Sequence, residues 1–378
     1  MTTVRAILIS AAALAAMAVT GDAAPPPAAG QYMAYVGPYT RPNKSKGIYA
    51  YKFDAKTGKF TAIGLAAETS NPSFLAVAPN GKFLYAANEN GQGMVSAFAI
   101  EPGGMLKALN SVSSKGSGPC HLTLDQKGKW LFVANYNNGS VASYAVNADG
   151  SLSEAITAVQ HQGSSVNPGR QRGPHAHETV ISPDNKLLFV PDLGMDKVMI
   201  YRFDDKGVLT PNDPPFIAIA PGSGPRHMAF DPKGKFVYVL TEMTDAVVAF
   251  SYDGKGGAKE IQTISSVPAD YTGQKSGAEI AVHPNGKFLY ASNRSHNSIS
   301  VFTIDAKGAL TAAGNVPSQG KTPRHFVIDP TGAWMAVSNQ DSDNIVVFKI
   351  DAKTGGLTPT GDVLEVGNPV SMVFAPAQ

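Results

Sequence analysis

The 378-residue chain has a single cysteine, Cys120, which excludes an internal disulfide and any cysteine-rich metal site. It has two tryptophans, aromatic residues make up only 8%, and none of them forms a run that would mark an interface, so a monomer is expected. Charge is sparse as well. Charged residues are 16% of the chain, and Lys+Arg 31 against Asp+Glu 29 leaves a net charge of +2, which gives no reason to expect a nucleic-acid partner. Beyond residue 24 no apolar run is long enough to span a membrane. What is abundant is turn chemistry: Gly 38 and Pro 27 imply many short strands, and 43% hydrophobic residues in a chain of this length can fill a sizeable core. An all-β fold is expected.

Residues 1–24 combine one early cation, Arg5, an apolar stretch from Ala6 to Val19, and small residues at Gly21 and Ala23. That is the layout of a secretory signal peptide. An uncleaved anchor fits less well, because the apolar stretch is short for a span of about 20 residues. Residues 25–31 ("PPPAAGQ") read as a flexible linker, residues 32–378 as one domain, and the mature protein as exported, periplasmic or secreted.

One unit recurs along the rest of the chain: an opening Pro-x-x, an apolar strand, a "DPxGK"-type turn, a strand of the "FLYAAN" type, then "xxISVFxID" and "GxL". Copies begin near Pro72, Pro119, Pro174, Pro225, Gly277 and Pro323, at a period of roughly fifty residues that marks a β-propeller with four strands per unit. The C-terminal "NPVSMVFAPAQ" supplies only the first strand of a further unit, and the segment from Tyr32 to Ile63 supplies only the last three. Joined, they make a seventh blade, close the ring and leave no long open edge. Alternating apolar residues (Phe230, Val237, Val239, Val247, Phe250 and their counterparts Ile280, Leu289, Ala291, Ile299, Phe302) are the expected core.

The polar exceptions to the repeat gather at one end. Successive strands of a meander are antiparallel, so the start of each first strand and the end of each second strand lie at the same end of a blade. Two residues into the first strand stand Phe74, His121, Glu178, His227, Glu279, His325 and Ser371, and the residues just before them include Cys120, His177, Arg226 and Arg324. Because the first strand is innermost, both sets form rings around the channel. His175 joins this collar, so that five of the chain's eight histidines belong to it. The second strands end in Asn or Asp, expected to cap the turn that follows. Glu242 and Arg294, at equivalent positions of neighbouring blades, break the repeat with opposite charges.

A scaffold needs neither of these charges, and a structural role for the histidines, as backbone hydrogen-bond partners between blades, leaves the arginines unexplained. A metal held by His175, His177, Glu178 and Glu242 is disfavoured. Strand alternation would send His177 and Glu178 to opposite faces, and the arginines would repel a cation. No Gly-x-Ser-x-Gly elbow is present. Arginines converging on one glutamate and one histidine suit an ester or lactone: Glu242 or His177 takes a proton from water, Arg226 or Arg294 stabilises the oxyanion, and Arg324 grips a carboxylate or phosphate. His175, His227, His325 and Glu279 complete the expected binding surface, and Arg170 and Arg172 stand on the preceding loop.

Taken in order, "GPHAHETVISPDNKLLFVPDLG", "GSGPRHMAFDPKGKFVYVLTEM", "AEIAVHPNGKFLYASNRS" and "TPRHFVIDPTG" resemble the lactonase family of seven-bladed propellers, which includes bacterial 6-phosphogluconolactonases and fungal carboxy-muconate cyclases. The resemblance implies that His177, Arg226, Glu242 and Arg294 are the functional residues, and that lactone hydrolysis or the related lactone-forming reaction proceeds without a metal or other cofactor. Export sets this chain apart from cytoplasmic relatives and favours an unphosphorylated lactone such as gluconolactone over a phosphosugar. The alternative is a non-catalytic exported propeller, since "LYAAN", "LFVAN" and "LYASN" also resemble YVTN-type binding repeats.

Overall fold

The computed structural model describes residues 30–40 and 44–377; the expected signal segment and all but the end of the expected linker lie outside the described residues. The first strand, Gln31–Pro38, begins one residue inside that linker.

Seven four-stranded antiparallel sheets follow one another as blades. The blade that opens at Pro225 is representative: Pro225–Phe230, Phe236–Thr241, Ala246–Tyr252 and Ala258–Ser265 pair in sequence order. In the closing blade the C-terminal strand Pro369–Pro376 is innermost and pairs with Gln31–Pro38 near the N-terminus, as the sequence implies.

Each blade is buried on both faces, which is why its second strand reads as a continuous apolar run. In "FVYVLT", Val237 and Val239 pack with Leu187 and Phe189 of the preceding blade, whereas Tyr238 and Leu240 pack with Ile280 and Leu289 of the next. The expected core residues are buried, Phe230 only in part. The repeated tyrosine also links blades: Tyr85, Tyr238 and Tyr290 donate hydroxyls to the carbonyls of Gly150, Gly308 and Gly355 in the next blade's outer hairpin. The hairpin turns owe as much to aspartate as to Pro and Gly. Asp231 accepts hydrogen bonds from the backbone of Lys233, Lys235 and Phe236, and so fixes the turn that aims the two inner strands.

The Asn at the end of the second strand does more than cap the following turn. Asn88, Asn135, Asn293 and Asn339 donate to Ser70, Ser114, Ser266 and Ser318 carbonyls in the preceding connection between blades; Asn135 and Asn293 also donate to a serine after the turn, and Asn88 accepts from Ser96 there. Asp192 does cap its own turn, accepting from Gly194 N, and also from His175 N.

Candidate active site

The innermost strand of six blades carries the same irregularity: near its start one extra residue is inserted relative to its partner. In the Pro174 unit the irregularity is larger. Only Val180–Ile181 remains regular strand, preceded by an isolated bridge from Ala176 to Asp192. A β-bulge turns two consecutive side chains toward the same side. Arg226 and His227, and likewise Arg324 and His325, therefore line one cleft together with His177, Cys120 and Glu279. The bulge suspends alternation in those strands; in the Pro174 unit His177 lines the cleft, whereas Glu178 lies near His121 and His227.

The site has two tiers. In the upper tier Glu242 is surrounded by guanidinium groups. Its Oε2 lies 2.9 Å from Arg294 Nη2 and 3.2 Å from Arg226 Nε, and its Oε1 lies 2.6 Å from Arg170 Nη2. Burial alone would raise the Glu242 carboxyl, but Arg294, Arg226 and Arg170 overcome it and hold the pKa at about 2. Arg226 also donates to Ala278 O, and Arg294 to Ser276 O and Gly277 O, so both are fixed by backbone. Burial and the neighbouring Arg294 and Arg324 charges lower Arg226, which nonetheless stays protonated at neutral pH. Arg324 stacks over the Tyr39 ring at 5.4 Å; burial works against its charge, but Tyr39, Glu89 and Glu242 sustain it.

His177 stands at the edge of this tier. Its backbone N donates to Pro191 O, the Cys120 thiol donates to its carbonyl at 3.2 Å, and its ring packs edge-on to Tyr136 and His227. Burial, followed by the charges of Arg226 and other cleft residues, pushes its pKa well below the ordinary imidazole value. It is neutral at pH 7. Burial likewise drives the Cys120 thiol up, so that it remains protonated.

The lower tier closes the channel with alternating His and Glu. His227 Nδ1 lies 3.1 Å from Glu279, His325 Nε2 3.7 Å from Glu279, and His121 Nε2 3.7 Å from Glu178; Phe74 covers His121 with ring centroids 3.8 Å apart. The histidines thus meet side chains of neighbouring blades rather than chiefly backbone. Burial raises both carboxyls and lowers all three imidazoles, so the tier is largely neutral. His227, His325 and Glu279 form the floor of the cleft. Among the described residues, His121, Glu178 and His227 are the grouping able to hold a metal ion, with ligand atoms within 4.8 Å of one another, a different set from the one weighed and disfavoured on the sequence. Met228 N already bonds to Glu178, and Thr179 Oγ1 and Glu279 lie within hydrogen-bond distance of the two imidazoles.

His175 is set apart from the cleft: it stacks on Tyr136, and its Nδ1 bonds to Tyr136 O. Arg172 is exposed and turns back to Pro168 O. Tyr136 and Arg170 are the participants whose role the sequence did not reveal. The position of Tyr136 beside a strand-end Asn was visible, but nothing in the repeat signalled its bond to Arg170.

The seven blades thus bring one carboxylate, several arginines and a neutral histidine close together. The match to the family described as "Lactonase, 7-bladed beta-propeller" extends over residues 33–374, and the chain belongs to that family. It is 37% identical over 348 residues to a 6-phosphogluconolactonase of Bacillus subtilis, covering 91% of this chain and 98% of that protein. It is 34% identical over 303 residues to a 6-phosphogluconolactonase of Formosa agariphila, covering 78% and 85%. Among solved structures, the periplasmic gluconolactonase of Pseudomonas aeruginosa superposes with a TM-score of 0.87 at 35% identity, covering 92% of this chain and 100% of that one.

Proposed function

We propose that this protein hydrolyses a sugar lactone at the mouth of the channel without a metal, with His177 as the proton acceptor. The observation that carries the reading is the contrast between Glu242 and His177. Both Glu242 oxygens are taken up by guanidinium groups, whereas His177 is held neutral beside Arg226 with a ring nitrogen open to accept a proton. Its Nε2 makes no hydrogen bond among the described residues. Glu242 then serves to hold Arg226 and Arg294 in place.

Water attacks the lactone carbonyl while His177 takes its proton, forming the new C–O bond. Arg226 and Arg294 stabilise the oxyanion. As the ring C–O bond breaks, the imidazolium returns the proton to the leaving alkoxide, giving a hydroxy acid. Arg324, which forms no ion pair among the described residues, is placed to hold the new carboxylate or an anionic substituent.

The signal-like residues 1–24 and the similarity to a periplasmic gluconolactonase support an exported enzyme acting on an unphosphorylated aldonolactone. The test is a panel of gluconolactone, 6-phosphogluconolactone and other sugar lactones, with acid release followed in chelator. Chelator-resistant turnover that favours gluconolactone supports the reading. No rate above spontaneous hydrolysis on any lactone points instead to a binding propeller.

A further inference from the structure

The three arginines around Glu242 are not held alike. Arg226 and Arg294 have side chains 2% and 15% exposed, share Oε2, and are each anchored to backbone carbonyls, Arg226 to Ala278 O of the next blade and Arg294 to Gly277 O at the start of its own. Arg170 has sole possession of Oε1, is 44% exposed, and makes both of its side-chain bonds, to Glu242 and to the Tyr136 hydroxyl, through the single nitrogen Nη2. It comes from the connection between Gln160 and Val180, the longest at this face. The backbone there is pinned: Asn167 Oδ1 accepts from Gly169 N and Arg170 N, and the buried Gln171 donates to Leu193 O and Asp196. The side chain is therefore the part able to move, and it covers the one carboxylate oxygen not locked by buried partners.

We propose that Arg170 is a specificity-determining residue that occupies Glu242 Oε1 in the free protein and leaves it when a ligand hydroxyl takes its place. The inference rests on the reading of the ligand as a polyhydroxylated lactone. Glu242, with Oε2 fixed, presents Oε1 as an acceptor only to ligands whose hydroxyl can displace a half-exposed guanidinium. Only the Arg170 end of this pair is half-exposed, and a ligand hydroxyl that donates to Oε1 in its place keeps the buried carboxylate partnered, so the exchange costs far less than leaving it bare. Lactones lacking ring hydroxyls gain nothing by displacing Arg170, so the exchange selects sugars over simple lactones.

The test uses gluconolactam, a neutral analogue that keeps the sugar hydroxyls and resists hydrolysis, with δ-valerolactam as its hydroxyl-free counterpart. Binding of each is measured by calorimetry on the full mature protein, on Arg170→Ala, and on Tyr136→Phe, which removes the other bond of the same nitrogen. With the competitor gone, gluconolactam should bind Arg170→Ala about three- to fivefold more tightly than wild type. Tyr136→Phe should shift it in the same direction by less, and δ-valerolactam should show no change. Equal or weaker gluconolactam binding in Arg170→Ala, or no binding to either protein, overturns the proposal. Because the readout is binding, a wild type inactive on gluconolactone would count against hydrolysis and leave this comparison to decide the role of Arg170.

Discussion

Arg294 Nη2 stands 2.9 Å from Glu242 Oε2, joining the ends of equivalent strands in adjacent blades, with both side chains largely withdrawn from water. The pair spans the junction between the two blades. It therefore couples the stability of that junction to the geometry of the site.

Removing the carboxylate charge should be costly. Glu242→Gln leaves Arg226 and Arg294 buried without a counter-charge, and denaturant unfolding at pH 7 should show a loss of about 3–5 kcal/mol. The pH dependence has a definite sign. The carboxyl is lowered from 4.5 to about 2 on folding, so its contribution is complete above about pH 4.5 and disappears as the pH falls toward 2. The gap between wild type and variant should narrow over that range. A gap independent of pH would contradict the three-arginine account.

The lower tier should behave in the opposite way. Burial raises the Glu178 carboxyl well above 4.5, so the folded state favours its protonated form, and stability from this group is lost as pH rises above 4.5. Glu178→Gln keeps an oxygen to accept from Met228 N and cannot ionise. Relative to wild type, the variant should gain stability between pH 4 and pH 7.5 in urea titrations.

Much of this was legible in the sequence, and the misses have physical causes. The repeat fixed seven blades and their closure, and Glu242 and Arg294 stood out because they break a pattern that neighbouring blades keep. The placement of Arg226 beside His227, and of Arg324 beside His325, in one cleft was not legible: it depends on a single inserted residue whose only trace is the pairing register, and a one-residue insertion reverses every inference from alternation. Arg170 was visible only as a cation on a loop, because its bond to Glu242 crosses 72 residues of sequence. Asp231 reads as a surface charge in "DPKGK" until its three backbone partners are seen.

The blade-to-blade tyrosines give a test of the scaffold alone. Tyr238→Phe loses one hydrogen bond to Gly308 O and should cost about 1 kcal/mol. Gly308→Ala should cost more, because Gly308 has φ +83° and an added methyl would meet the Phe236 ring. Thermal melts should rank the two in that order while gluconolactone turnover per folded molecule stays unchanged.

Neither candidate base titrates near neutrality, since His177 lies well below its ordinary value and Glu242 at about 2. After correction for spontaneous hydrolysis, kcat/KM should be level between roughly pH 6 and 8. An acid limb centred near the ordinary imidazole pKa would mean that His177 is not held neutral by its surroundings.

The most direct measurement is gluconolactone hydrolysis in excess chelator by wild type and His177→Gln, with folding of the variant checked by circular dichroism. Metal-free transfer of a proton to His177 predicts undiminished wild-type turnover and a fall of about a hundredfold or more in the kcat of the variant. A chelated wild type that is inactive, or a His177→Gln protein that retains wild-type kcat, would contradict it.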